Sequence, residues 1–219
     1  MIKSGRKELY FGVALVVAFA IFTLLVQIVE VKPLGLNGTN IGFATINSIV
    51  HGFFGVNMIL YTLTDWAGLV PAAVVLIWGV VGAVQLIKRG SLIKVDADIL
   101  VLGVYYIVVA VFYVVFEMIP INYRPVLING VAEASYPSST TLLVLTVMPT
   151  LSEQMGRRCK ANAVKTTVTV LTVAFSMLTV AGRLISGVHW FTDILGSVLL
   201  SVGLFYIYKG LILMYDRKA

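Results

Sequence analysis

Long apolar runs alternate along this chain with short polar joints. Uncharged runs cover 9–29, 66–87, 99–116, 134–152 and 166–182, and a sixth, 189–208, carries one charge, Asp193, in its first turn. A helix that crosses a bilayer needs about 20 apolar residues, within a range of roughly 17–25. In hydrocarbon every backbone N–H and C=O must find an internal partner, which a helix provides. The pattern therefore predicts an all-α polytopic membrane bundle of about six transmembrane helices. Pro71 and Pro149 fall inside the second and fourth runs and predict local kinks. An acid at membrane depth is costly, so Asp193 reads as functional.

The stretch 41–64 is apolar enough to span but rich in Gly and Asn, and it holds His51. As a seventh span it would put Lys88 and Arg89 on the opposite side from Lys3, Arg6 and Lys7. It is read instead as an interfacial or re-entrant segment. The charged start resembles that of a signal peptide, but the run 9–29 is too long for a signal core and no small-residue cleavage site follows it. It reads as a retained anchor helix.

Composition agrees with the pattern. The 219 residues are 59% hydrophobic and 12% charged, with mean hydropathy +0.99; a soluble domain is about half apolar and a quarter charged. A net charge of +6 raises the question of nucleic acid, but the basic residues cluster in the joints, which is a topology signal and implies no nucleic-acid partner. With the N-terminus inside, thirteen of the 16 Lys and Arg residues fall on the inner side, the last of them Lys209, Arg217 and Lys218. The rule predicts a cell-membrane protein with both termini cytoplasmic. Only Lys32, Arg124 and Arg183 are left outside. The single Cys159 excludes an internal disulfide framework, and two histidines, His51 and His189, argue against a multi-histidine metal site. With no repeat or linker, 1–219 reads as a single membrane-embedded domain.

The two outer arginines stand beside the most polar outer segments. Arg124 lies in Asn122-Tyr123-Arg124-Pro125 after the third run. Arg183 precedes His189 by six residues and Asp193 by ten. Between them comes Ser135-Tyr136-Pro137-Ser138-Ser139-Thr140-Thr141, which opens the fourth run. Arginine presents a planar fork of donors that matches phosphate oxygens. A Ser-rich helix start presents free N–H groups and a positive dipole end, although Ser138 and Ser139 fit a plain helix cap equally well. His189 and Asp193, four apart, would share a helix face. A carboxylate bonded to one ring nitrogen leaves the other as a nucleophile.

This order of motifs resembles the type-2 phosphatidic acid phosphatase family, whose fold is shared with vanadium haloperoxidases. The family pattern is Lys-x6-Arg-Pro, then Pro-Ser-Gly-His, then Ser-Arg-x5-His-x3-Asp. Here Arg124-Pro125, Pro137-Ser138 and the set Arg183, His189, Asp193 match it, over roughly the C-terminal two-thirds of the chain. The resemblance implies a membrane lipid phosphatase with its site at the outer face. His189 would attack phosphorus to form a phosphohistidine, oriented by Asp193. Arg124, Arg183 and the backbone around Ser138, Ser139 and Thr140 would hold the phosphate. Neither a metal nor another cofactor is implied, and the partner is a lipid with a phosphate or diphosphate head group.

The chain departs from the pattern at four places. Glu117 stands where the family has lysine, Ser139 replaces glycine, Thr140 replaces histidine, and Gly182 replaces serine. The family histidine at the Thr140 position protonates the leaving group, which a threonine hydroxyl cannot do near neutral pH. A lipid alkoxide has a conjugate-acid pKa like that of water, about 15.7, whereas a phosphate leaving group has one of about 6. A site without an acid should therefore favour lipid diphosphates over phosphatidyl phosphates, unless Glu117, Glu133, Tyr136 or His51 supplies the proton. Glu117 reads most simply as an ion-pair partner of an arginine. Two alternatives stay open: a lipid phosphotransferase using the same site, and an inactive lipid-phosphate binder or transporter.

Overall fold

Each apolar run folds as a helix, and no strand forms among the described residues. The computed structural model describes residues 2–215, with side chains from residue 5 onward. Arg217, Lys218 and the side chain of Lys3, counted above with the inner charges, lie outside the described residues. The helices are α1 (Ile2–Ile28), α2 (Ala44–Phe54), α3 (Met58–Ala67), α4 (Leu69–Arg89), α5 (Ala97–Met118), α6 (Ser139–Arg158), α7 (Asn162–Ile185) and α8 (Phe191–Tyr215). Among the described residues, five helical stretches are long and apolar enough to cross a membrane: Gly5–Ile28, Met58–Arg89, Ala97–Met118, Asn162–Ile185 and Phe191–Tyr215.

The fourth expected span is the exception, for a physical reason. The helix α6 packs against α4, α5, α7 and α8 at once, so protein surrounds it and its residues need not be apolar. Thr141, Thr146, Thr150 and Gln154 are all fully buried on it. Their partners come from neighbouring helices, from α6 itself and, for Thr141, from the Ser138 hydroxyl just before the helix, which donates to it at 3.0 Å. The Tyr106 hydroxyl lies 2.7 Å from Thr150 Oγ1, and Gln154 Nε2 donates to the Tyr208 hydroxyl at 2.7 Å. This helix starts at Ser139, not at the expected position 134, and Pro149 sits inside it without interrupting it.

The ambiguous stretch 41–64 divides in two. Its first half contains α2, which is tied to the start of α8 by the buried Asn47. The Asn47 side chain donates to Gly42 O at 2.8 Å and to Thr192 Oγ1 at 3.1 Å, and it accepts from Thr192 N at 3.2 Å. That last bond satisfies an N–H that the first turn of a helix leaves without a partner. The second half belongs to α3, which continues through a break at Gly68 into α4. Pro71 explains the break: its ring clashes with the carbonyl four residues back, that of Ala67. The second span thus begins at Met58 rather than at 66.

The terminal helices α1 and α8 are held together by close backbone approach. A Cβ placed on Gly12 would lie 2.6 Å from Gly203 O, and one on Gly210 would lie 2.8 Å from Gly5 O. Between helices in lipid, where apolar side chains gain little by meeting, such small-residue seams supply packing. At one end of the bundle Arg89 meets Asp96 at 2.7 Å and Arg158 meets Asp98 at 2.8 Å. The polar residues that follow α5 and α7 gather at the opposite end.

Candidate active site

Three backbone segments build the site at that end. The first follows α5. Between Ile128 and Val131, whose N–H and C=O groups exchange hydrogen bonds at 3.0 and 2.9 Å, stand Asn129 and Gly130, both with positive φ (51° and 80°). This is the two-residue turn that Asn-Gly favours, since both central residues must adopt left-handed backbone. It folds 122–135 back on itself, so that Arg124 N bonds Glu133 O at 3.1 Å and Ser135 N bonds Asn122 O at 2.9 Å. The second segment is the start of α6. The third is the joint between α7 and α8, which the α2–α3 turn holds from outside. Asn57 N donates to Ser186 O at 2.9 Å, and Gly187, at φ 67°, lies so close to the Gly55 carbonyl that a Cβ there would collide with it.

His189 is buried in this joint, not on the helix face that its spacing to Asp193 suggests, because α8 begins two residues later. Its Nε2 lies 3.0 Å from Arg183 Nη2. Guanidinium only donates, so Nε2 carries the lone pair and Nδ1 carries the proton. Nδ1 lies 3.2 Å from the Ser135 carbonyl and 3.1 Å from Ser135 Oγ. Ser135 Oγ in turn donates to Asp193 Oδ2. Asp193 Oδ2 is 3.6 Å from Nδ1, beyond hydrogen-bond length, so the expected direct His–Asp bond is replaced by a relay through Ser135. Asp193 also accepts from Trp190 N at 2.8 Å and from Asn122 Nδ2 at 3.1 Å. The Trp190 bond runs from the third helical position back to the residue before the helix, as in a capping box. One carboxylate thus caps α8 and anchors the histidine. Burial first, then the nearby charges of Arg183 and Arg124, hold the His189 imidazole well below its ordinary pKa, which keeps it neutral.

Both arginines are buried and face the ring of Tyr61, with their guanidinium carbons 4.9 Å (Arg183) and 5.5 Å (Arg124) from its centroid. Arg183 Nη1 meets Asp65 Oδ1 at 3.5 Å, and Arg124 Nη2 meets Glu133 Oε2 at 3.2 Å. Two further donors, Arg183 Nε and Arg124 Nη1, are buried with no hydrogen-bond partner among the described residues. Leaving a buried donor unpaired costs about 1–3 kcal/mol, and more when the group is charged.

The remaining candidates are placed as follows. Ser138 is fully buried, and its N–H is bonded to Asp193 O at 3.2 Å, so it braces α8 and has no free N–H for a ligand. Ser139, half-buried, and the buried Thr140 form the first turn of α6 with Thr141, and no bond satisfies their N–H groups among the described residues. Thr140 Cγ2 packs 3.6 Å from where a Cβ on Gly68 would stand. Glu117 is exposed and makes no ion pair among the described residues, contrary to the partner role expected for it. His51 stacks at a tilt on Trp190, 5.5 Å between rings, with its Nδ1 buried and unpartnered. Tyr136 is buried with its hydroxyl 2.8 Å from Thr23 Oγ1 on α1. The exchange of serine for Gly182 has a steric reason, since a Cβ there would stand 2.6 Å from Thr64 Cγ2 on α3. Among the described residues no three His, Cys, Asp or Glu side chains come together as a metal ion would need.

Four residues of this site escaped the sequence reading. Ser135 and Asn122 had a signal, since both stand in the polar stretches around the motifs. Tyr61 and Asp65 had none. They lie more than a hundred residues from Arg183 in sequence and reach it only because α3 packs on α7.

No curated protein matches the chain. Its fold is similar to that of a transmembrane PAP2-type phosphatidylglycerolphosphate phosphatase from Bacillus subtilis, with a TM-score of 0.61 over 95% of this chain and 97% of that one, at 19% identity. The model of the PAP2 superfamily matches residues 98–215, a stretch that begins with α5 and takes in Arg124, Ser135, Arg183, His189 and Asp193. With that match over more than half of its length, the chain belongs to the PAP2 superfamily.

Proposed function

We propose that the protein removes the terminal phosphate from a membrane lipid phosphate through a phosphohistidine on His189. One observation carries this reading: a neutral, buried imidazole lies beside two buried arginines whose donors are not all used. A phosphoryl group seated there would take hydrogen bonds from Arg124 and Arg183, which match its charge and planar geometry. It would draw Arg183 Nη2 off His189 Nε2 and so release the lone pair for attack. As the ring gains a bond to phosphorus it becomes cationic, and Asp193, acting through Ser135, stabilises that charge. Water then attacks the phosphohistidine and frees inorganic phosphate. Positioned donors of this kind supply most of the barrier lowering in phosphoryl transfer. The end of the bundle that carries the site is read as extracytoplasmic, on the charge pattern described above.

The test is phosphate release by purified protein from a panel of lipid mono- and diphosphates. The parent protein should turn over at least one class, and His189→Ala should abolish turnover. Substantial activity in that variant would rule out the mechanism.

A further inference from the structure

Asp65 belongs to none of the motifs, yet it shares a guanidinium with the nucleophile. Arg183 Nη2 lies 3.0 Å from His189 Nε2, and Arg183 Nη1 lies 3.5 Å from Asp65 Oδ1. The carboxylate stands in the last turn of α3, where the helix breaks at Gly68. A carboxylate on an arginine that must hold a phosphate works against binding by like-charge repulsion. The conflict disappears if the residue joins the complex as the neutral acid.

Building on the phosphohistidine reading, we propose that Asp65 is the general acid and base of the reaction, and that it opens the site to lipid phosphate monoesters. In the first half, His189 Nε2 forms the N–P bond while the bond from phosphorus to the lipid oxygen breaks. That oxygen keeps the electron pair, takes the Asp65 proton and leaves as the lipid alcohol. In the second half, water oxygen bonds to phosphorus, the N–P pair returns to Nε2, and the water proton goes to the Asp65 carboxylate. Both residues are then restored.

Exposure supports the assignment. The Asp65 side chain is 53% exposed, so the attacking water can reach it, whereas Asp193 is fully buried. The other acids are placed less well. Glu133 pairs with Arg124, whose fork makes no bond to His189, and Glu117 pairs with neither arginine. Thr140 offers only a hydroxyl, and His51 rests on Trp190. The charged and titratable groups within electrostatic reach of Asp65 are Arg183 of α7 and Tyr113 of α5.

General acid catalysis is worth roughly 10²–10⁴-fold, and it matters for an alkoxide leaving group far more than for a phosphate. The test uses the purified full chain with an isoprenyl monophosphate and the diphosphate of the same chain. Asp65→Asn should lower monophosphate turnover by about 10²–10⁴-fold and diphosphate turnover far less. Asp65→Glu, which keeps the carboxyl group, should restore the monophosphate reaction. Equal loss on both substrates, no loss on either, or a parent enzyme that cleaves only the diphosphate would overturn the assignment of Asp65. If His189→Ala stays active in the same assay, the phosphohistidine reading itself fails, and that result is separate from any outcome at Asp65.

Discussion

In the mechanism we propose, His189 can attack phosphorus only while neutral, and its surroundings favour that form. Burial, then Arg183, then Arg124 lower its pKa below the ordinary value of about 6.5. The neutral form is therefore present above the lowered value, and the acid limb of kcat/KM should fall below pH 6.5, with a plateau above it. Stability has the same sign. Below about pH 6.5 the unfolded chain takes up a proton that the folded chain refuses. The contribution of this group is thus complete above pH 6.5 and is lost as pH falls toward the folded value. A pH–rate profile checks the first statement, and an acid limb at or above 6.5 would contradict the burial argument. Ser135 shows the same economy at this scale. Its carbonyl and hydroxyl both hold Nδ1, and the hydroxyl reaches Asp193.

At the scale of elements, two devices position the site. The Asn129-Gly130 turn returns the chain after α5, so that Arg124 pairs with Glu133 and Ser135 with Asn122 across one hairpin. The glycine seam of α1 and α8 fastens the terminal helices to each other, and α8 carries Asp193 in its first turn. Gly12→Val should force the seam apart, because its Cβ would stand 2.6 Å from Gly203 O and 2.6 Å from Ile207 N. Overpacking of this kind costs about 1–3 kcal/mol, which should appear as a lower Tm in detergent. Gly79→Ala is the control: nothing lies within 4 Å of its would-be Cβ, and Ala suits a helix better than Gly. A Gly12→Val protein as stable as the control would refute the role of the seam.

For the whole molecule, the ion-paired end and the site end lie at opposite ends of the bundle. Because basic residues are retained on the cytoplasmic side, we propose that the site faces outward. Cys159, the residue just after α6 at the ion-paired end, reports on this. A thiol reagent that cannot cross membranes should label it in inverted vesicles and not in intact cells. Labelling of intact cells would reverse the orientation.

Hydrophobic periodicity alone determined that the chain is a helical membrane bundle, because the length of an apolar run and the thickness of a bilayer set each other. Residue spacing alone marked Arg124, Arg183, His189 and Asp193, because arginines away from the other basic residues and an acid at membrane depth are costly enough to need a reason. Tertiary structure decided the rest. That α6 can lie inside the bundle without being apolar follows from the helices around it. That Ser135 stands between His189 and Asp193 follows from a hairpin joined to a helix start. That Tyr61 and Asp65 face Arg183 follows from α3 lying so close to α7 that Gly182 can carry no side chain. These are contacts between residues far apart in sequence, and no local pattern encodes them.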